Sequence, residues 1–436
     1  METRDLLVTP IVIILVYVAA FMLRGRIATP ETKKYFFPVL TLKIIGALAV
    51  GSIYQWYYDG GDTYYYHTHG SRIIWEAFIN NPSNGLSLIF SPEYTNLYKY
   101  TSRIAFFTDP GSMFVVRVAA LFDLITFSTY SATAVLFAFV SFLGIWFLFR
   151  TFTDIFPELK GRIAIATLFV PSVLFWGSGL LKDTLVIASL GFATYSIKRI
   201  LIDKRPSITS VVVLIISLFA IFSIKKYVLL SFLPAAIFWV YGDSMQRVGS
   251  KMLRLLLMPF AIFATVLAGL YVAVKVGEDD PRYAVDRLAE TAKLTAYDIG
   301  FYTGKNAGSG YTLGELDGSF TSMLKLFPQA VNVSLFRPYP WEVKNILMLM
   351  SSLEAAVFLI VTLMLIIRSP FGFFRALRQP TVVFCLLFSI TFAFAVGAST
   401  YNFGTLNRYR IPLIPYYLVA LVVIAGIPKP DRKLSN

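Results

Sequence analysis

Eleven times between Leu6 and Ile427 the chain runs into a stretch apolar enough to cross a lipid bilayer, and no other feature restricts its fold so strongly. A hydrocarbon core about 30 Å thick takes roughly 20 mostly apolar residues per helix. On that rule the spans fall near 6–23, 38–56, 130–149, 161–177, 183–198, 208–223, 227–241, 255–274, 345–367, 380–398 and 411–427. Only 15% of the residues are charged, whereas a soluble domain carries about a quarter. The expected class is an all-α polytopic membrane protein in which 1–436 form a single transmembrane domain.

The net charge of +14 is spread as short Lys/Arg clusters between apolar runs rather than gathered on a polar domain. That pattern excludes a nucleic-acid binder and reads as a topology signal. Loops holding Arg24, Arg26, Lys33 and Lys34; Arg150, Lys160 and Arg162; Lys198, Arg199, Lys204 and Arg205; Arg247, Lys251 and Arg254; and Arg368, Arg375 and Arg378 fall on one side, together with the basic tail PKPDRKLSN. That side is assigned to the cytoplasm. Residues 112–129 are apolar but short and carry Arg117 and Asp123, so they are expected as an interfacial or re-entrant helix. Two longer segments, 57–129 and 275–344, then face outward and cap the bundle with interfacial helices. METRDLLVTP lacks a basic n-region and a cleavage site, and is expected as a retained first helix. The lone Cys385 excludes a disulfide framework or thiolate metal site.

Ionisable groups are scarce within the spans. Lys43 is expected to snorkel from the inner end of its helix, and Glu354 is the one clear mid-span charge. A hydrogen-bonded Glu354 joining helices is favoured over a functional carboxylate. Charge collects instead at the expected outer helix ends. Asp59 and Asp62 lie in YYDGGDTYYYHTHG, Lys182 and Asp183 in FWGSGLLKD, Lys225 and Lys226 close the sixth span, Arg337 lies in LFRPYPWE, and Arg408 and Arg410 in NRYRIPLIP. Carboxylates facing a cationic rim suit an anionic substrate held partly in lipid, such as a phosphate on a hydrocarbon chain. Headgroup anchoring explains Lys225, Lys226 and Arg410 individually just as well. Asp62 after Gly-Gly also suits a plain turn, although the neighbouring tyrosines, Tyr64 and Tyr66 among them, are able to stack on sugar rings. His67 and His69, two apart, do not share a helical face, so a metal site built on them is not expected. Asp59 and Asp62 would chelate a hard divalent cation if the turn folded them together.

Taken together, a carboxylate in the first large external segment, the GLLKD after a helix break, RPYPWE and RYRIPLIP resemble the GT-C superfamily of polytopic glycosyltransferases. Bacterial members of the protein mannosyltransferase-like and EpsG-type polysaccharide polymerase kinds are the nearest in layout. The resemblance implies transfer of a sugar from a polyprenyl-phosphate-linked donor, at the outer face of a bacterial plasma membrane, to a glycan, lipid or protein acceptor. It implies Asp62, with Asp59 second, as the base that deprotonates the acceptor hydroxyl. It also implies Arg408 and Arg410 on the lipid phosphate, helped by Lys182, with Arg337, Tyr64, Tyr66 and His67 lining the substrate. No cofactor is obligatory in such a reaction, and a divalent metal is an option rather than a need. Many relatives have one helix before the catalytic loop, whereas two precede it here.

Three other readings stay open on the residues alone. The donor of a polymerase or ligase would be a lipid-diphosphate oligosaccharide; a lipid-sugar flippase would depend on groups inside the spans; and a structural subunit of an envelope assembly would tolerate loss of the outer carboxylates.

Overall fold

A computed structural model describes residues 3–91, 97–284, 286–299, 301, 309–314, 317–368 and 370–426. The basic tail at 428–436 and most of the Gly-rich stretch after Phe301 lie outside the described residues. In chain order the principal helices are α1 Thr3–Ile27, α2 Lys33–Trp56, α3 Asp62–Tyr66, α4 Arg72–Asn80, α5 Pro82–Phe90, α6 Pro110–Thr126, α7 Tyr130–Ile155, α8 Lys160–Leu168 and α9 Pro171–Phe175. There follow α10 Lys182–Ile202, α11 Ile208–Ile224, α12 Lys226–Gln246, α13 Lys251–Asp279, α14 Leu288–Ile299, α15 Phe327–Phe336, α16 Ile346–Arg368, α17 Pro380–Thr400 and α18 Phe403–Gly426. Among the described residues there is no strand beyond an isolated bridge between Gly310 and Asn402.

Eight of these helices, α1, α2, α7, α10, α12, α16, α17 and α18, are long and apolar enough to cross a membrane. Large side chains stand exposed along them: Phe21 and Met22 at 70% and 72% on α1, Leu353 and Ile367 at 60% and 77% on α16. Such faces are stable against lipid and not against water. The chain is therefore a multi-pass membrane protein. Three expected positions differ in form. Residues 255–274 lie within α13 and 208–223 within the 17-residue α11. The expected single helix over 161–177 is instead broken into α8 and α9. Pro171 begins α9, and Val170 before it takes extended backbone (ψ 121°), as the ring of a following proline requires. The expected interfacial segment forms the 17-residue α6, whose Arg117 donates to Leu88 O (3.2 Å) and Ser91 O (2.9 Å) at the end of α5.

The chain divides into two compact units, Met1–Leu148, Leu168–Ala193 and Ile215–Lys225 in one, and Phe149–Thr167, Thr194–Leu214 and Lys226–Asn436 in the other. In the first, Phe36 of α2 meets Phe142 and Trp146 of α7 edge-on, with centroids at 4.9 and 4.8 Å. The Trp146 indole donates to Ile27 O at 3.0 Å, closing the open end of α1. Asp123 of α6 is fully buried, and its carboxyl accepts hydrogen bonds from Ser71 and Thr133, each 2.6 Å. In the second unit, Phe232, Phe384 and Phe388 gather with Tyr416, whose hydroxyl lies 2.7 Å from Thr194 Oγ1.

Polar groups buried among apolar helices are costly to leave without a partner. Thr133→Val keeps the shape of the side chain but removes one donor to Asp123. It is expected to cost about 1–3 kcal/mol, read as a lowered midpoint in detergent melting of the full chain. A midpoint equal to the parent's contradicts this role.

Candidate functional site

The first unit builds a charged cluster where three segments converge. α2 ends at Trp56, and the chain reverses through Asp59, Gly60 and Gly61, with φ of 51°, 118° and 121°. Two successive left-handed positions past Asp59 require residues without a side chain, and the pair of glycines supplies them. Gly61 O then accepts from the amides of Tyr64 and Tyr65 at 3.0 Å each, starting α3 with Asp62 as its first residue.

The second segment is the start of α6. Asp109 caps it, its Oδ2 accepting from the Ser112 amide (3.0 Å) and hydroxyl (2.5 Å). The same oxygen accepts from the Lys182 ammonium at 2.7 Å. Lys182 opens α10, immediately after the break, and also feels the charges of Lys225 and Asp62. Next to it, Asp183 and Lys225 form a pair at 2.5 Å with side chains 0% and 6% exposed. Three carboxyl groups, Asp62, Asp109 and Asp183, thus act on two ammoniums, Lys182 and Lys225. Burial pushes the Asp109 carboxyl up, but the charge and hydrogen bond of Lys182, with two hydrogen bonds from Ser112, outweigh it and hold it below its ordinary range.

The aromatic motif after Asp62 divides differently from the expectation. Tyr66 is buried against Phe106, and His67 is 0% exposed, edge-on to Tyr130 and 3.5 Å from Asp123. Neither lines an accessible surface, which corrects their assignment to substrate. Tyr64 is half-buried, stacked on Tyr130 at 4.5 Å, its hydroxyl donating to Gly51 O and Gln55 Oε1. Burial and the Asp5 charge push its phenol up to about 12. The exposed members of the motif are Tyr65 and His69, their rings 5.7 Å apart. Asp59 is exposed at the turn and Asp62 half-buried.

Arg337, Arg408 and Arg410 belong to the second unit. Arg337 is paired with Glu342 through both carboxylate oxygens and lies over the rings of Tyr311, Phe403 and Tyr339 at 5.6, 5.3 and 5.9 Å. Arg410 is 1% exposed. Its Nη1 donates to Ser334 O (3.3 Å) and Arg337 O (3.0 Å), and Nη2 lies 3.9 Å from Glu354. It closes the C-terminal carbonyls of α15, so the expectation of an open phosphate clamp at Arg410 is corrected to a buried helix cap. Arg408 is half-buried on α18.

Lys43, expected to snorkel, is instead fully buried. Asp109 was absent from the sequence-derived site, although Asp-Pro-Gly-Ser is a recognisable helix start. Among the described residues no group of three or more His, Cys, Asp or Glu is placed to hold a metal ion. Compared with family models, curated proteins and solved structures, the chain finds no match.

Removing one partner of a buried ion pair strands the other charge, at about 3–5 kcal/mol. Lys225→Met is expected to lose that much stability in detergent melting, and Lys225→Met with Asp183→Asn to regain most of it. Equal losses in the single and double variants contradict the pairing. The folded Asp109 carboxyl lies below its unfolded value near 4. Its contribution is therefore complete above about pH 4 and lost as pH falls through the lowered folded value. Melting midpoints measured down the acid range should fall more steeply for the parent than for Asp109→Asn.

Proposed function

We propose that the chain is a glycosyltransferase that moves a sugar from a polyprenyl-phosphate-linked donor to an envelope glycan, lipid or protein. In this reading it lies in a bacterial plasma membrane, crosses it about eleven times, and works at the outer face. The observation that carries the reading is the convergence of Asp62 with the Lys182–Asp109 pair at the first turn of α10, in a chain whose outer surface suits lipid. Membrane lipids surround the apolar faces, so a donor with a long hydrocarbon tail reaches such a cluster without leaving the bilayer.

In the proposed step Asp62 accepts the proton of the acceptor hydroxyl. The freed oxygen forms a bond to the anomeric carbon, and the bond from that carbon to the donor phosphate oxygen breaks, its electron pair staying on the phosphate. Lys182 meets the developing negative charge there, which is where fixed positive charge accelerates such a reaction. Asp109, with its side chain 41% exposed, is able to yield part of the ammonium to an arriving phosphate, while buried Asp183 keeps Lys225 in place. Nothing in this step calls for a redox cofactor.

A full chain in nanodiscs, supplied with undecaprenyl-phosphate-linked hexoses and pentoses and an envelope extract, tests the reading. Asp62→Asn is expected to insert normally and to lower transfer by about 100-fold or more, the ordinary contribution of a positioned base. Asp59→Asn, altering an exposed turn residue, should be milder. Transfer by Asp62→Asn at the parental rate would overturn the proposal. So would unaltered transfer in an Asp62 variant combined with loss of transport in Glu354→Gln, the pattern a flippase would give.

A further inference from the structure

The break between α8 and α10 exposes carbonyls in a region where lipid offers no donor. Partners of several of them can be followed. Ser172 O accepts from the Trp176 amide (2.9 Å), Leu174 O from Ser178 Oγ (2.5 Å), Phe175 O from the Ser178 amide (3.3 Å), and Gly179 O from the Leu181 amide (2.9 Å) and Thr184 Oγ1 (2.6 Å). Val173 O and Gly177 O take the ammonium of Lys43, at 3.0 and 2.8 Å. The third ammonium hydrogen goes to Ser141 Oγ at 3.0 Å, and that hydroxyl in turn donates to Gly177 O at 2.6 Å. An ammonium has three donors and no acceptor, so these bonds saturate Lys43.

Sequence explains how α2 comes so close. At Gly46, a Cβ would meet Leu174 O at 2.2 Å, so only glycine lets α2 lie directly on α9. Lys43 precedes it by three residues, on the same face. A buried cation within a span is expensive, and an uninterrupted helix would need none. What the break gains is geometric: it ends five residues after Gly177 at Lys182, the first residue of α10.

We propose that Lys43 is a positioning residue, which ties α2 to the broken segment and thereby fixes the point and direction from which Lys182 offers its ammonium to phosphate. The proposal rests on the reading of Lys182 as the phosphate-binding group. It assigns no contact between Lys43 and substrate.

Binding of farnesyl phosphate to the full chain in nanodiscs provides the test, in a double-mutant cycle between Lys43→Met and Lys182→Ala. Lys43→Met is expected to weaken binding about tenfold in the parent and by little in the Lys182→Ala background, because a difference of about 1.4 kcal/mol acts through Lys182. A merely structural lysine would cost the same factor in both backgrounds, and that result overturns the proposal. Should Lys43→Met fail to fold, Ser141→Ala removes one acceptor of the same ammonium. It should weaken binding about threefold, again only where Lys182 is present. Amide exchange over 172–184 gives a separate arm: unchanged exchange in Lys43→Met, or in Ser141→Ala where that variant replaces it, overturns the proposal whatever the binding data. Absence of farnesyl phosphate binding to the parent, or unaltered binding by Lys182→Ala, would instead bring down the phosphate reading itself.

Discussion

A backbone carbonyl surrounded by lipid must find its donor within the protein. Most of this chain meets that requirement with long uninterrupted helices. A marked departure among the described residues is the stretch from Phe169 to Leu181, where a proline and a Gly-Ser-Gly interrupt a segment whose length and composition suit a span. There several carbonyls are satisfied by side chains from other helices, Lys43 of α2 and Ser141 of α7, and by the break's own Ser178 and Thr184, while others take backbone amides within the break. The interruption is therefore a built feature, and the charged cluster of the first unit begins where it ends.

Two devices hold the charged groups around the expected site residues. In the first, ammoniums and carboxyl groups meet side chain to side chain, as in Lys182 with Asp109 and Lys225 with Asp183. In the second, the buried Arg410 spends Nη1 on main-chain carbonyls at the end of α15, and Arg337 is held by Glu342 over a group of aromatic rings. The first arrangement leaves a half-buried carboxyl, Asp62, near a cation that can exchange partners. The second makes rigid joints. That contrast is why the proposed chemistry is placed on α3, α6 and α10.

Much of the scaffold was legible in the sequence because apolar length is a strong signal. The Gly-Ser-Gly at 177–179 was legible as a break, but the interruption at Pro171 was not, and 161–177 reads as one span. Nor was side-chain direction legible. Tyr66 and His67 face inward while Tyr65 and His69 face outward, because successive residues of a helix point roughly 100° apart and the chain then kinks at His69 (φ −101°, ψ 19°). Arg408 and Arg410 are separated by one residue, yet one is half-buried and the other sealed. Snorkelling was inferred for Lys43 from depth alone, and depth does not reveal an acceptor set drawn from residues 98 to 134 positions away. Asp109 could be read as a helix cap, but its partner lies 73 residues downstream, and nothing local announces that pairing.

The central claim is that a lipid-borne phosphate is received at the first turn of α10. An experimental density map of the full chain in nanodiscs with farnesyl phosphate tests it most directly. The account predicts the phosphate within hydrogen-bonding distance of Lys182 Nζ, with the Asp62 carboxyl facing the same site. A phosphate resolved elsewhere, with Lys182 still engaged only by Asp109, would contradict it.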